Sequence, residues 1–188
     1  MTRPTLAPPM VKPMDCIRKQ VRQLCEDLGD AEKVNAALEQ AGEGMGRRAA
    51  DEFCAQTGWG ACGRFPDCLR GAAAGLRLFL GIDAEAAVVE SGGGGGGVNG
   101  VAAALPEGTL RWRGDPLSAL ADAADYPPGF ESLRFASALS GAVRGALAAV
   151  GAEVSVVWEA DTATGDAESR LRVKLLRQQG EQAPIGDD

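Results

Sequence analysis

The chain has 188 residues, 45% of them hydrophobic, which is enough for one globular domain with a substantial core. Its net charge of −7 argues against a nucleic-acid partner, which would need a concentrated basic surface, and against direct binding to anionic lipid. The absence of histidine excludes Ser-His-Asp and Cys-His catalysis and removes the imidazole ligands of the usual zinc sites.

The cysteines and the N-terminal segment indicate the compartment. The number of cysteines is odd and none forms a C-x-x-C pair, so we predict a reducing compartment, no metal site and no resident cofactor. Four prolines interrupt residues 1–14, which excludes the apolar core of a secretory signal, and no apolar run reaches membrane-spanning length. These features predict a cytoplasmic protein.

Residues 1–14 and 180–188 are poor in core-forming residues and are predicted to be flexible tails around a single domain over 15–179. The domain begins with an amphipathic helix over 15–28, predicted from apolar residues that recur every three to four positions. Two further helices are predicted, a short one over 34–41 and another over 45–56.

Cys62 is the first candidate functional residue because it lies just ahead of a predicted helix over 66–80. Pro66 suits the first position of that helix, and the positive end of the helix together with Arg64 favours the thiolate form of Cys62. Cys62 is therefore a candidate nucleophile or attachment point. The alternative is a small apolar residue packed beneath a loop.

The helix over 66–80 presents a continuous apolar face. That face includes Leu69, Ala72, Gly75, Leu76 and Phe79. Gly71 and Gly75 each cost about 1 kcal/mol inside a helix relative to alanine, so another group is expected to use the space that they leave.

The second half of the chain predicts a small sheet and a long helix. Residues 91–108 resemble a flexible glycine-rich insertion, and the glycine run within it lacks the lysine of a phosphate-binding loop. A strand over 109–113, a helix over 131–150 as the longest of the chain, and a closing antiparallel hairpin follow. In the hairpin, Arg170, Arg172 and Lys174 are expected to face outward.

Together these elements predict an α+β fold in which several helices pack on one face of a small twisted antiparallel sheet. The sequence also resembles the Bet-three-type small subunits of the transport protein particle (TRAPP), a vesicle-tethering complex. The matching segments occur in the same order and at compatible spacings. They are residues 21–25, 44–53, 60–62, 80–82 and 140–147, together with the basic-apolar strand at 170–177.

The resemblance implies a non-enzymatic core subunit of a complex that tethers vesicles between the endoplasmic reticulum and the Golgi. It implies heterodimers with other small TRAPP subunits, and nucleotide exchange on a Rab GTPase by the assembled complex. The protein would be peripheral on endoplasmic reticulum and cis-Golgi membranes, associating with them only through the complex. The C-terminal residues Gly186, Asp187 and Asp188 would contact the GTPase.

The same resemblance implies a covalent palmitate on Cys62, inserted into an apolar channel that is lined by the helix face from Leu69 to Phe79 and supported at its start by Arg64. Burying a sixteen-carbon chain contributes on the order of 12 kcal/mol, comparable to the net stability of a domain. An enclosed chain would therefore act as part of the core, whereas a membrane anchor would need a second signal that an acidic chain lacks.

Two other functions remain open from the sequence. Four-vinyl-reductase-like domains resemble the same fold and bind small molecules as regulatory modules, which would leave Cys62 unmodified. The other alternative is a cysteine acyl-transfer enzyme that uses Cys62, and the missing histidine argues against this activity.

Overall fold

The computed structural model describes residues 13–60, 63–89, 105–114 and 128–178. Within them it contains helices and a four-stranded antiparallel sheet, which confirms the predicted α+β class. The elements are α1 (Pro13–Leu28), α2 (Ala31–Thr57), α3 (Phe65–Leu80), β1 (Glu85–Val89), β2 (Glu107–Trp112), α4 (Ser137–Ala149), β3 (Ala152–Ala160) and β4 (Ser169–Gln178).

The sheet has the strand order β1-β2-β4-β3, with every neighbouring pair antiparallel. The predicted hairpin is confirmed: β3 pairs with β4, and a 3-10 turn at Thr162–Thr164 joins them. Leu171, Val173 and Leu175 are buried on the face of β4 that packs on the helices. On the other face Arg172 and Lys174 are exposed and Arg170 is partly buried, as the alternation predicts.

One core joins the buried face of the sheet to α3 and α4. The fully buried side chains Phe65, Leu69 and Leu147 come from these helices, and Leu110 and Leu171 come from the strands. A second, smaller cluster around Val21, Cys25 and Val34 fixes α1 on α2. Helix α4 packs on β3 and also on α2, so α4 lies between the sheet and α2.

Helix α2 is continuous, so the prediction of two helices over 34–41 and 45–56 is wrong. It begins after Asp30, whose carboxylate accepts hydrogen bonds from the backbone N–H groups of Glu32 and Lys33 at 2.8 and 3.1 Å. It runs on through Gly42 and Gly46 because both glycines face α4, and packing on α4 outweighs their low helix propensity.

Helices α2 and α4 are packed backbone against backbone through four glycines. A Cβ atom at Gly42 or Gly46 would overlap a carbonyl oxygen of α4, and a Cβ at Gly141 or Gly145 would overlap a carbonyl oxygen of α2. The close approach is therefore reciprocal, and any side chain at these positions would force the helices apart. Arg144 adds an ion pair to Glu39 and to Glu43 of α2 beside this contact.

The predicted helix over 131–150 is also wrong in its extent, since α4 begins only at Ser137. Asn35 of α2 holds the residues before it: the Asn35 side chain donates to the Ser132 carbonyl at 3.0 Å and accepts from the Arg134 N–H at 2.8 Å. Leu133 and Phe135 pack on the α1–α2 cluster. These tertiary contacts replace the first turns of helix that the periodicity predicted.

Strand β1 was not predicted, and β2 begins at Glu107, inside the range 91–108 that was predicted to be an insertion. Residues 90–104 lie outside the described part of the chain, as do 1–12 and 179–188. The flexible insertion and the two tails therefore stay predictions.

Candidate apolar ligand groove

Helices α2, α3 and α4 enclose an apolar groove with a cavity volume of about 270 Å³, called here the three-helix groove. Its wall is almost entirely apolar, and none of the described residues that line it is charged. From α2 the wall receives Met45, Gly46, Ala49, Ala50, Phe53 and Cys54, and from α4 it receives Ala138, Leu139, Ala142, Val143, Ala146, Leu147 and Val150.

Helix α3 forms the third wall of the groove. It carries most of the channel-lining residues that were predicted from the sequence. Ala72, Gly75, Leu76 and Phe79 line the groove. Leu69 does not: it is fully buried in the core, and its Cδ2 lies 2.6 Å from where a Cβ on Gly108 of β2 would be. Because α3 is apolar on both its groove side and its sheet side, the periodicity could not separate the two.

The two glycines of α3 leave space that is used differently. At Gly71 a Cβ would lie 3.1 Å from the indole Nε1 of Trp59, so the indole occupies that space. At Gly75, one turn further along α3, no atom of the described part of the chain would lie within 4 Å of a Cβ. The indole therefore narrows the groove beside Gly71, whereas the space beside Gly75 is open.

The groove opens to solvent through exposed apolar side chains. Met45 is 49% exposed, Phe79 40% and Leu80 46%, although all three line the groove. Lining residues on α3 extend from Cys68 to Leu80, about 18 Å at a rise of 1.5 Å per residue. A saturated chain advances about 1.25 Å per carbon, from bonds of about 1.5 Å and angles of about 111°, so sixteen carbons span about 19 Å.

The chemistry of this wall is that of a binding site. Its described residues offer apolar and aromatic surface and the thiols of Cys54 and Cys68, and none of them carries a carboxylate or an amine to move a proton. Cys68 is 1% exposed. An alkyl chain or an aromatic molecule is the kind of ligand that such a wall excludes from water.

The remaining predicted site residues lie at or beyond the edge of the described chain. Arg64 is the residue before α3, with an extended backbone and an exposed side chain that makes no capping hydrogen bond. Pro66 is the second residue of α3, one position later than predicted, because the helix begins at Phe65. Cys62 lies outside the described residues, and so do Gly186, Asp187 and Asp188.

Within residues 13–60, 63–89, 105–114 and 128–178, no three cysteine or carboxylate side chains gather closely enough to hold a metal ion. In that same part of the chain, no helix has the length and apolar character needed to cross a membrane.

The fold recurs in two solved structures. A crystal structure of a trafficking protein particle complex subunit 3 from Naegleria fowleri, covalently bound to palmitic acid, superposes with a TM-score of 0.66. It is 25% identical, and the match covers 89% of this chain and 98% of that one. The phenol-responsive sensory domain of the transcription activator PoxR, solved with phenol, has a TM-score of 0.60 at 14% identity and shows the fold alone. That match covers 89% of this chain and 76% of the sensory domain.

Curated sequences identify the family. The trafficking protein particle complex subunit 3 of Dictyostelium discoideum is 31% identical over 170 residues, which cover 89% of this chain and 83% of that protein. The transport protein particle subunit bet3 of Schizosaccharomyces pombe is 30% identical over 170 residues, covering 89% and 84%. No known family model matches the chain. The chain belongs to the TRAPP subunit 3 (Bet3) family.

Proposed function

We propose that this protein is a non-enzymatic core subunit of a TRAPP-type complex that tethers vesicles in transport between the endoplasmic reticulum and the Golgi. The observation that carries the proposal is the three-helix groove, which is apolar, uncharged and about as long as a sixteen-carbon chain. The related subunit from Naegleria fowleri is covalently bound to palmitic acid.

We propose Cys62 as the attachment point of the acyl chain. In sequence it lies between Trp59 and Ala72, both residues of the groove wall, so a chain attached there has a short path to the groove. The open space beside Gly75 gives such a chain room on α3. Arg64, between Cys62 and α3, adds a positive charge that favours the reactive thiolate.

The assembled complex would supply the remaining functions. Heterodimers with other small TRAPP subunits would place this chain in the core of the complex, and the complex would catalyse nucleotide exchange on a Rab GTPase. The C-terminal residues Gly186, Asp187 and Asp188 would contact the GTPase. Membrane association, on the endoplasmic reticulum and the cis-Golgi, would occur through the complex.

The mass of the intact protein tests the site. Protein purified from a eukaryotic host is expected to carry the added mass of one palmitoyl group, which neutral hydroxylamine removes because it cleaves thioesters. Cys62→Ser is expected to abolish the added mass. Cys54→Ser, which removes a thiol on the groove wall itself, is the matched control and should keep it. Retention of the added mass in Cys62→Ser would place the acyl group elsewhere.

A pulldown tests the assembly. The tagged full chain, expressed together with the other small TRAPP subunits, is expected to recover a stable heterodimer. Recovery of free monomer alone would contradict the proposed role.

A second candidate is a small-molecule-binding regulatory domain of the four-vinyl-reductase-like type. The chain shares its fold with a phenol-responsive sensory domain. The groove is lined by aromatic side chains from Phe53, Trp59 and Phe79. Recovery of an apolar ligand without a covalent bond, with Cys62 unmodified, would favour this alternative.

A further inference from the structure

Trp59 marks one end of the three-helix groove, called here the near end. Its ring centroid lies 5.8 Å from that of Phe53, late in α2, and its indole faces Gly71, early in α3. The last turns of α2 therefore meet the first turns of α3 at this end. From there the two helices line the groove in opposite directions along the chain.

The far end of the groove is formed by Met45, Phe79 and Leu80. Met45 lies about two turns before Phe53 on α2, and Phe79 lies about two turns after Gly71 on α3. These three side chains are between 40% and 49% exposed, which makes them the most exposed residues of the wall in the described part of the chain. Solvent therefore reaches the groove at its far end.

The wall of α3 stops at this end, whereas its middle is closed. Cys68, Leu76 and Leu147 line the groove and are at most 7% exposed. Gly81 ends α3 in the left-handed conformation, with φ of 67°, and the next residue, Ile82, is buried in the core of the sheet. None of the described residues that follow Leu80 on this side adds to the groove wall until α4.

We propose that Met45, Phe79 and Leu80 form an open far mouth, through which the end of a long acyl chain leaves the groove. The inference rests on the proposed function, in which the chain is attached at Cys62, three residues after Trp59. A closed pocket rejects chains that are longer than itself, whereas an open groove sets only a minimum length. The ligands of this groove are therefore saturated acyl chains of about sixteen carbons or more.

The length of the wall gives the number of carbons that reach the mouth. From Cys68 to Leu80 the wall is about 18 Å long, which takes about fourteen carbons at about 1.25 Å each. A chain attached at Cys62, which precedes Cys68, needs at least that many. Methylene groups along the wall are removed from water, and those beyond the mouth remain in it. Stabilisation should therefore increase with length up to about sixteen carbons and then stay constant.

The test attaches straight alkyl chains of twelve to twenty carbons to Cys62 as mixed disulfides, using alkyl methanethiosulfonates. The full chain is first treated with hydroxylamine. The substitutions Cys16→Ser and Cys54→Ser confine the label to Cys62, since Cys25 and Cys68 are each 1% exposed. Intact mass checks that one chain is attached. The fluorescent fatty acid cis-parinaric acid should bind the unlabelled protein and be excluded by an attached hexadecyl chain.

Urea unfolding measures the gain from each chain relative to the unlabelled protein. From twelve to sixteen carbons, the equilibrium constant for folding should increase by up to about fifteenfold for every two carbons. Chains of eighteen and twenty carbons should match the sixteen-carbon chain within about twofold, since the added carbons stay in water.

Variants at the mouth test the residues that form it. Phe79→Ser shortens the α3 wall by about one turn, so the gain should stop about four carbons earlier. Met45→Ser shortens the α2 wall and should act in the same direction. Leu78→Ser is the matched control, because Leu78 is 50% exposed and does not line the groove, and it should keep the wild-type length dependence. Each gain is measured within one variant, so a change in its basal stability cancels.

The outcomes distinguish this inference from the proposed function. If chains of eighteen or twenty carbons stabilise less than sixteen, the far end is closed and the open mouth is overturned, while the groove remains an acyl site. A gain that keeps rising to twenty carbons, or an unchanged length dependence in both Phe79→Ser and Met45→Ser, would also overturn it. If no chain of any length stabilises the protein, the acyl function of the groove fails, and the mouth fails with it.

Discussion

The backbone of Gly46 in α2 packs directly on the carbonyl of Ala142 in α4, and a Cβ atom at position 46 would overlap that carbonyl oxygen. Both residues also line the three-helix groove. The same contact therefore joins the two helices and sets the depth of the groove between them. Gly145 makes the corresponding contact from the other helix, against the carbonyl of Glu43.

Gly46→Ala is expected to destabilise the protein, since the new methyl must push α4 away or distort a backbone that has no freedom to move. Overpacking of this kind costs about 1–3 kcal/mol, and a clash with backbone belongs at the upper end. Urea unfolding, followed by circular dichroism, measures the loss. Gly44→Ala is the matched control on the same helix: its nearest neighbour would be the Arg48 guanidinium at 3.9 Å, and we expect a gain of about 0.5–1 kcal/mol. Equal effects at the two positions would contradict the close-packing account.

Gly75→Leu is expected to fill the groove and to weaken binding of palmitic acid by at least about tenfold, since the leucine occupies the space of several methylene groups. The free energy of unfolding should be maintained or increased, because the helix gains a residue of higher propensity and no atom of the residues that the structure describes lies within 4 Å of the new Cβ. Gly44→Leu adds the same side chain outside the groove and should leave binding unchanged. Displacement of cis-parinaric acid measures both variants. Undiminished binding in Gly75→Leu would show that the ligand does not use this part of α3.

Glu43 is expected to stabilise the fold in a pH-dependent way. Hydrogen bonds from Arg47 and then from Arg144 hold the pKa of its carboxyl below the usual value of 4.5. A carboxyl with a lowered pKa in the folded state contributes stability that is complete above the unfolded pKa and is lost as the pH falls through the folded pKa. Glu43→Gln should therefore cost about 1 kcal/mol at neutral pH, and its difference from wild-type protein should shrink below about pH 4.5.

Urea midpoints measured between pH 3 and pH 7 test this dependence. Glu153→Gln, at an exposed position on β3, removes the same charge elsewhere and serves as the control. A constant difference between Glu43→Gln and wild-type protein across that range would rule out the linkage.

Asn35→Ala is expected to release the segment before α4, since one side chain bonds both the Ser132 carbonyl and the Arg134 N–H. The loss is about 1–3 kcal/mol, because two backbone groups lose their partner. Hydrogen exchange at the Arg134 amide reports it directly. Asn35→Asp keeps an acceptor for that amide and should preserve its protection better than Asn35→Ala. Unchanged protection at Arg134 in the alanine variant would count against the contact.

The sequence alone determined the elements whose signal is local. The alternation of Leu171, Val173 and Leu175 predicted β4 and its buried face, because a strand places every second side chain on the same side. The apolar periodicity of α3 predicted that helix to within one residue at its start, and four of its five proposed channel residues line the groove. The resemblance to the small TRAPP subunits was also detected from the sequence alone, because it depends on the order of residues along the chain.

Only the tertiary structure decided the rest. The sequence predicted a break between 41 and 45, where Gly42 and Gly44 lie, yet α2 runs through this segment because α4 packs on its backbone at Gly42 and Gly46. Residues before Ser137 have helical periodicity, yet Asn35, about a hundred positions earlier, holds them as turns. The contact of Trp59 with Gly71 joins two elements across a turn. Each of these features depends on contacts between residues that are separated along the chain. A local sequence pattern does not indicate which distant residue will make such a contact.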